Sequence, residues 1–185
     1  MGLVGALKLD LNGNAIANSL QTFLTSKITD NLNTGYNTGV FHLGGGFAFI
    51  PPHHIIVYTG NGPSFPKDGN YGCGILKLNT NTFQVDDFLL FDDENYHECF
   101  SNNLDYSTSS PALVKNSSDQ YTGIAIGSSG FLQLYDPKDL KNSAYKLPSF
   151  FARNRHIKGM GNALKIDDNH FQFIYVGSND AGDIL

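Results

Sequence analysis

A chain of 185 residues with 12 basic and 17 acidic side chains, net charge −5, lacks the clustered cations that a nucleic-acid surface needs to displace counterions from phosphates. No apolar run approaches the roughly 20 residues that span a bilayer, and the first residues lack the basic start and long apolar stretch of a secretory signal. With 41% apolar residues, no Trp, 14 Phe, 9 Tyr and 20 Gly, the composition leans toward strands and turns and predicts an all-β fold with room for one ordinary core.

In chain order, the first recognisable element is "GALKLDLNGN", a strand-like run that stops at Asp10. "HHIIVYTGNG" follows, a β-rich run that ends at Gly60, and then a polar insertion at 63–72. "GILKLNTNT" reads as a second strand stopped at Asn79, and the acidic segment 92–105 reads as a second insertion. The pair recurs as "YTGIAIGSSG", ending at Gly127, with "FLQLYDPKD", stopped at Asp136. It recurs again as "FQFIYVGSND", ending at Gly177, with "GDIL". The repeated unit is strand, Gly corner, strand, Asx turn. Asp10, Asn79 and Asp136 fall at equivalent places, where a short side chain accepts a hydrogen bond from the backbone two residues on and stops the strand.

A four-stranded propeller blade takes about 40–50 residues, so the chain holds about three to four antiparallel blades, an incomplete β-propeller spanning 1–185 as a single partial domain. Met1 to Asp10 opens in the second half of a hairpin, and Gly182 to Leu185 stops in mid-strand. Bare strand edges invite pairing with another chain, so missing blades or a partner chain are expected at both edges. The competing organisation is a self-contained β-sandwich. Helices over 55–60, 122–127 or 172–177 would defeat the repeat.

In order and approximate spacing, "GVFHLGGGFAFIPPHHIIVYTGNG", "GNYGCGILKLNTNTFQVDDFLLF", "NNLDYSTSSPALV" and "IAIGSSGFLQLYDPKDL" resemble repeats of the pyrroloquinoline-quinone-like propeller family, which includes the quinoprotein alcohol dehydrogenases and members with no demonstrated cofactor. The resemblance runs from about Gly39 to the C-terminus and implies an eight-bladed propeller in the full-length protein. In the family's enzymes an asparagine at a Gly corner binds calcium beside the quinone, and Thr59-Gly60-Asn61 resembles that corner. Asn followed by Gly is also a common tight-turn composition, since both tolerate positive φ. The enzymes' Asp-x-Trp-Asp segment is matched by "NNLD", with Asp105 in the last place. Asn102 stands where the first carboxylate would be and cannot accept a proton at neutral pH. Leu104 replaces the tryptophan, the chain contains no Trp to stack on a quinone, and the enzymes' adjacent-cysteine pair has no counterpart. The resemblance therefore implies Asn61 and Asp105 as the metal ligands if calcium and pyrroloquinoline quinone bind, and it implies no catalytic residue.

Other motifs are less informative. Asp92, Asp93, Glu94, His97, Glu98 and Cys99 include zinc-type ligands, but an acidic run of this kind reads as a solvated loop, and strand alternation would send His97 and Cys99 to one face and Glu98 to the other. His53-His54 reads as a loop or strand edge, and "GGG" at 44–46 as a flexible loop. Cys73 and Cys99 are the only cysteines, compatible with one bridge or with two free thiols. Asn116-Ser117-Ser118 is either a glycosylation acceptor or a serine turn. No nucleophile elbow or phosphate-binding loop is present. Two functions follow: a non-catalytic propeller segment serving as scaffold or binding surface, or a calcium- and quinone-dependent alcohol oxidoreductase. The compartment is not indicated.

Overall fold

The computed structural model of the protein describes residues 2–26, 39–40, 46–62, 64–90, 109–115, 118–127, 132–147, 161–167 and 170–175. Among them the fold is all-β, built from antiparallel strands with one four-residue α-helix and one turn of 3-10 helix at Pro66–Asp68. The strands are β1 (Leu3–Ala6), β2 (Gln21–Leu24), β3 (Ala48–Ile50), β4 (His54–Tyr58), β5 (Ser64–Phe65), β6 (Asn70–Tyr71), β7 (Gly74–Asn79), β8 (Val85–Leu90), β9 (Ala112–Lys115), β10 (Tyr121–Ile126), β11 (Leu132–Tyr135), β12 (Tyr145–Leu147), β13 (Gly161–Lys165) and β14 (Phe171–Tyr175), and the helix is α1 (Leu140–Ser143). Among the described residues, β4, β10 and β14 occupy the three runs where a helix would have defeated the repeat, and Gly177 and the following "GDIL" lie outside the described residues.

Two four-stranded sheets form the centre. The first has the order β3-β4-β7-β8 and the second β9-β10-β11-β12, and β1-β2 and β13-β14 are separate two-stranded ribbons. The 63–72 insertion becomes a small hairpin, β5-β6, placed between β4 and β7. Polar turn residues supply its corners, with Gly69 at φ 78°, a conformation that suits a residue without Cβ.

Strand alternation sends successive side chains to opposite faces, and both faces of the first sheet are apolar. Ile50, Ile56, Tyr58 and Ile75 pack on Ala125, Tyr135 and Leu140 of the second sheet and its helix. On the opposite face Val57, Leu76, Leu78 and Phe83 pack on Val4, with Ala6 and Phe23, of the β1-β2 ribbon. The far face of the second sheet gathers Ala112, Val114 and Ile124 with Leu132 and Leu134, and β13 lies against β9. Ribbon, sheet, sheet and ribbon thus stack in chain order. This arrangement explains why "HIIVY" and "GILKLN" are nearly continuous apolar runs: a strand buried on both faces cannot alternate with polar residues.

Strand pairing puts corresponding residues of three hairpins side by side. Ala48 pairs with Ile56, Ala112 with Ile124 and Ala163 with Phe173, so an alanine holds the same place in three first strands. Tyr58 pairs with Ile75 as Ile126 pairs with Leu132, which also brings Asn79 and Asp136 into register. This alignment corrects one detail of the sequence reading. Gly127 takes the place of Thr59 rather than Gly60, because Ile126 aligns with Tyr58. "GALKLD" of β1 and its continuation matches "GILKLN" of β7, which makes β1-β2 the counterpart of β7-β8 and β13-β14 the counterpart of β3-β4.

Candidate functional site

At one end of the stack the three Asx turns form as their spacing predicts. Asp10 Oδ1 accepts from the backbone N–H of Asn12 at 2.9 Å and of Asn14 at 2.8 Å. Asn79 Oδ1 accepts from Asn81 at 2.9 Å and Thr82 at 3.2 Å, and Asp136 Oδ1 from Lys138 at 2.8 Å. In each case the bond two residues on satisfies a donor that the ladder no longer can. Each later turn is also held by the unit before it. Gln21 Nε2 donates to the Asn81 carbonyl at 3.0 Å, and Lys77 Nζ to the Lys138 carbonyl at 3.3 Å.

This end also carries a polar cluster that sequence spacing did not reveal. His54 lies opposite Asn79 in the β4-β7 ladder. Asp86 Oδ2 accepts from His54 Nε2 at 2.9 Å and from Asn79 Nδ2 at 3.0 Å. The Asn79 amide first, and then the His54 ring, hold the Asp86 carboxyl below the usual carboxylate range. Of the two histidines read as a loop or strand edge, His53 lies in the turn and His54 is the first residue of β4, bonded across the sheet to Asp86. The signal that could have found this pair was the alignment of the Asx positions, which sets the register between β4 and β7.

The same corner of the second sheet holds Thr122 in the place of His54 and Asp136 in the place of Asn79. Ser143 follows Asp136 by as many residues as Asp86 follows Asn79, and its Oγ accepts from Asp136 N at 2.7 Å. An open cleft of about 240 Å³ sits here, lined by Gln120, Tyr121, Thr122, Leu134, Tyr135, Asp136 and Ser143. It offers amide, hydroxyl and carboxylate groups beside an aromatic ring, a set suited to hydrogen-bonding a small polar group. Ser143 Oγ already serves the backbone of Asp136 at this corner, where no histidine lines the cleft.

At the opposite end lies the predicted calcium corner. Thr59 and Gly74 are joined by three bonds: Thr59 N and Thr59 Oγ1 donate to the Gly74 carbonyl at 2.9 and 3.1 Å, and Gly74 N donates back to Thr59 Oγ1 at 2.8 Å. Gly60 N donates to the Gly39 carbonyl, and Cys73 N to the Gly60 carbonyl, both at 2.8 Å. Asn61 Oδ1 lies 3.7 Å from Cys73 Sγ. Cys73 is in a disulfide, so its sulfur carries no hydrogen and this is a contact rather than a hydrogen bond. Of the two states the sequence left open, Cys73 is bridged, and Cys99, the chain's only other cysteine, lies outside the described residues. The corner does not turn directly into the next strand of the sheet; the chain runs first through β5-β6.

Asp105, the acidic segment 92–105, Asn102, Leu104, Asn116 and Gly44 and Gly45 of the glycine run lie outside the described residues. Asn61 is therefore the one predicted ligand whose position is described. Among the described residues no group of three or more His, Cys, Asp or Glu is placed to hold a metal ion, and no helix is long and apolar enough to cross a membrane. Compared with family models, curated proteins and solved structures, the chain matches none.

Proposed function

We propose that this chain is a non-catalytic segment of a β-propeller that acts as a scaffold and presents a binding surface at its turns. The observation that carries this reading is the serial stacking of two antiparallel four-stranded sheets, each with apolar side chains on both faces, flanked by ribbons of the same design. Sheets that must be covered on both sides by copies of themselves are what radial repetition requires. The polar groups collect at the strand ends, where His54, Asn79 and Asp86 form one cluster and the Thr122–Asp136–Ser143 cleft forms its counterpart. The Oδ1 bonds of Asn79 and Asp136 close turns, and Asp86 ties His54 and Asn79 together across the sheet, so these groups hold the strand ends in a fixed arrangement that a partner could recognise.

The reading is tested by titrating the purified protein with calcium and pyrroloquinoline quinone. Absorbance of the quinone and the melting temperature are expected to stay unchanged. A calcium-dependent rise in melting temperature that Asn61→Ala abolishes would overturn the non-catalytic reading in favour of the oxidoreductase.

A further inference from the structure

The two central sheets carry the same corner with different groups in it. In the first sheet the Asp86 carboxylate is surrounded by nitrogen donors and basic side chains. Asn79 Nδ2 and His54 Nε2 bond it directly, at 3.0 and 2.9 Å. The Asn79 amide, the His54 ring and, least of the three, the Lys77 charge all hold its carboxyl below the usual range. Strand pairing gives the counterparts in the second sheet. Lys77 pairs with Ile56 as Leu134 pairs with Ile124, so Leu134 takes the place of Lys77, as Thr122 takes that of His54 and Asp136 that of Asn79. The second corner therefore keeps a carboxylate and loses both basic groups.

The space those groups would fill is open. Thr122, Leu134 and Asp136 all line the cleft of about 240 Å³. Asp136 Oδ1 accepts from Lys138 N, and among the described residues no donor or cation reaches its Oδ2. Ser143, in the place of Asp86, spends its Oγ on the Asp136 backbone. Lys115 lies 5.8 Å from the centroid of the Tyr121 ring, but its ammonium is paired with Asp119 at 2.8 Å and leaves Asp136 without a counter-charge. A carboxylate oxygen without a donor, beside an aromatic ring, attracts a cation, and one that carries N–H groups adds a charge-assisted hydrogen bond.

We infer that the cleft of the second sheet binds a protonated nitrogen, a primary ammonium or an imidazolium carried by a small molecule or by a side chain of a protein partner, which donates to Asp136 Oδ2 and fills the place that His54 and Lys77 fill in the first sheet. This deepens the reading of the turns as a binding surface and rests on it. The Thr122 hydroxyl supplies a second acceptor, and the Tyr121 side chain an aromatic wall. The volume lies below the roughly 300 Å³ at which pockets for drug-sized ligands begin, so the cleft suits one cationic head group rather than an extended ligand.

The test is a two-dimensional NMR titration of the full chain with four probes: histamine as the free cation, N-acetyl-lysine amide as the partner's side chain, tetramethylammonium as a cation without N–H, and acetate as an anion. Histamine or the lysine amide is expected to shift the amide signals of Thr122, Leu134 and Asp136 saturably, with a Kd of about 1–10 mM, and the tighter of the two assigns the source. Tetramethylammonium is expected to bind about tenfold more weakly, for want of the charge-assisted bond, and acetate not at all. Asp136→Asn keeps the acceptor of the turn, as Asn79 does in the first sheet, and is expected to weaken binding by at least about tenfold. Thr122→His restores the first sheet's ring within the chain and is expected to abolish binding. No saturable shift with either N–H cation, equal binding of tetramethylammonium, or binding that Asp136→Asn leaves unchanged overturns the inference and leaves the scaffold reading standing. That reading falls instead on a calcium response at Asn61, at the opposite end of the stack.

Discussion

The contact between the two central sheets is sealed by a pair of buried tyrosines, and its energetics can be worked from the hydrogen-bond directions. Tyr58 and Tyr135 are both essentially fully buried. Tyr58 Oη donates to the Ile124 carbonyl at 2.9 Å and lies 3.0 Å from Tyr135 Oη. A hydroxyl has one proton, so the Tyr58 proton is committed to Ile124 and Tyr135 must be the donor to Tyr58. The two deletions are therefore unequal. Tyr58→Phe strands the Tyr135 O–H in an apolar interior and removes the donor to Ile124, at a cost of about 2–3 kcal/mol. Tyr135→Phe leaves the Tyr58–Ile124 bond intact and costs about 1 kcal/mol. In the double variant the stranded donor is gone, so the cost is expected to be no greater than that of Tyr58→Phe alone. Urea unfolding followed by far-UV circular dichroism reads all three. Costs that add within about 0.5 kcal/mol, the tolerance for independent sites, or a larger loss for Tyr135→Phe, would refute the assigned direction of the bonds.

Further expectations concern the same framework. Burial pushes the Tyr135 hydroxyl well above its ordinary value, so the folded state keeps that proton to higher pH than the unfolded chain. Its stabilisation is full below the unfolded pKa of about 10 and is lost as pH rises beyond it; alkaline unfolding curves of Tyr135→Phe should be flatter than those of the unmodified protein. Gly123 pairs directly with Tyr135, and a Cβ there would fall onto the Tyr135 ring. Gly123→Ala is therefore expected to cost about 3 kcal/mol by overpacking, with partial recovery when Tyr135 is also shortened to Leu, as measured by denaturant midpoints. Asn79→Ala removes the acceptor for Asn81 and Thr82 and the first donor to Asp86, at about 1–2 kcal/mol. Because Asp86 is held below the usual carboxylate range, its stabilisation is present above the unfolded value and lost as pH falls through the folded one. Acid titration of Asp86→Asn should show a smaller loss. Cys73→Ser should lower the melting temperature and cost about 2–4 kcal/mol, and a reductant should lower the melting temperature of the parent but not of the variant.

The sequence by itself determined what depends on near neighbours. Asp10, Asn79 and Asp136 stop their strands through bonds only two residues away, so their pattern could be read directly and the structure places all three. The all-β class and the paired runs were legible for the same reason, since alternation and turn chemistry are local. The tertiary structure decided everything that depends on which faces meet. Nothing near His54 in sequence points to Asp86, because their 2.9 Å contact exists only once β4, β7 and β8 lie side by side. Cys73 could not be assigned a bridged state from spacing, because pairing depends on where distant segments come together in space. The fate of the leucines in "GALKLD" and "GILKLN" states the division most simply. The two stretches carry leucines at the same two places, yet Leu78 is buried and Leu9 exposed, because burial belongs to the neighbour a strand acquires and not to the strand.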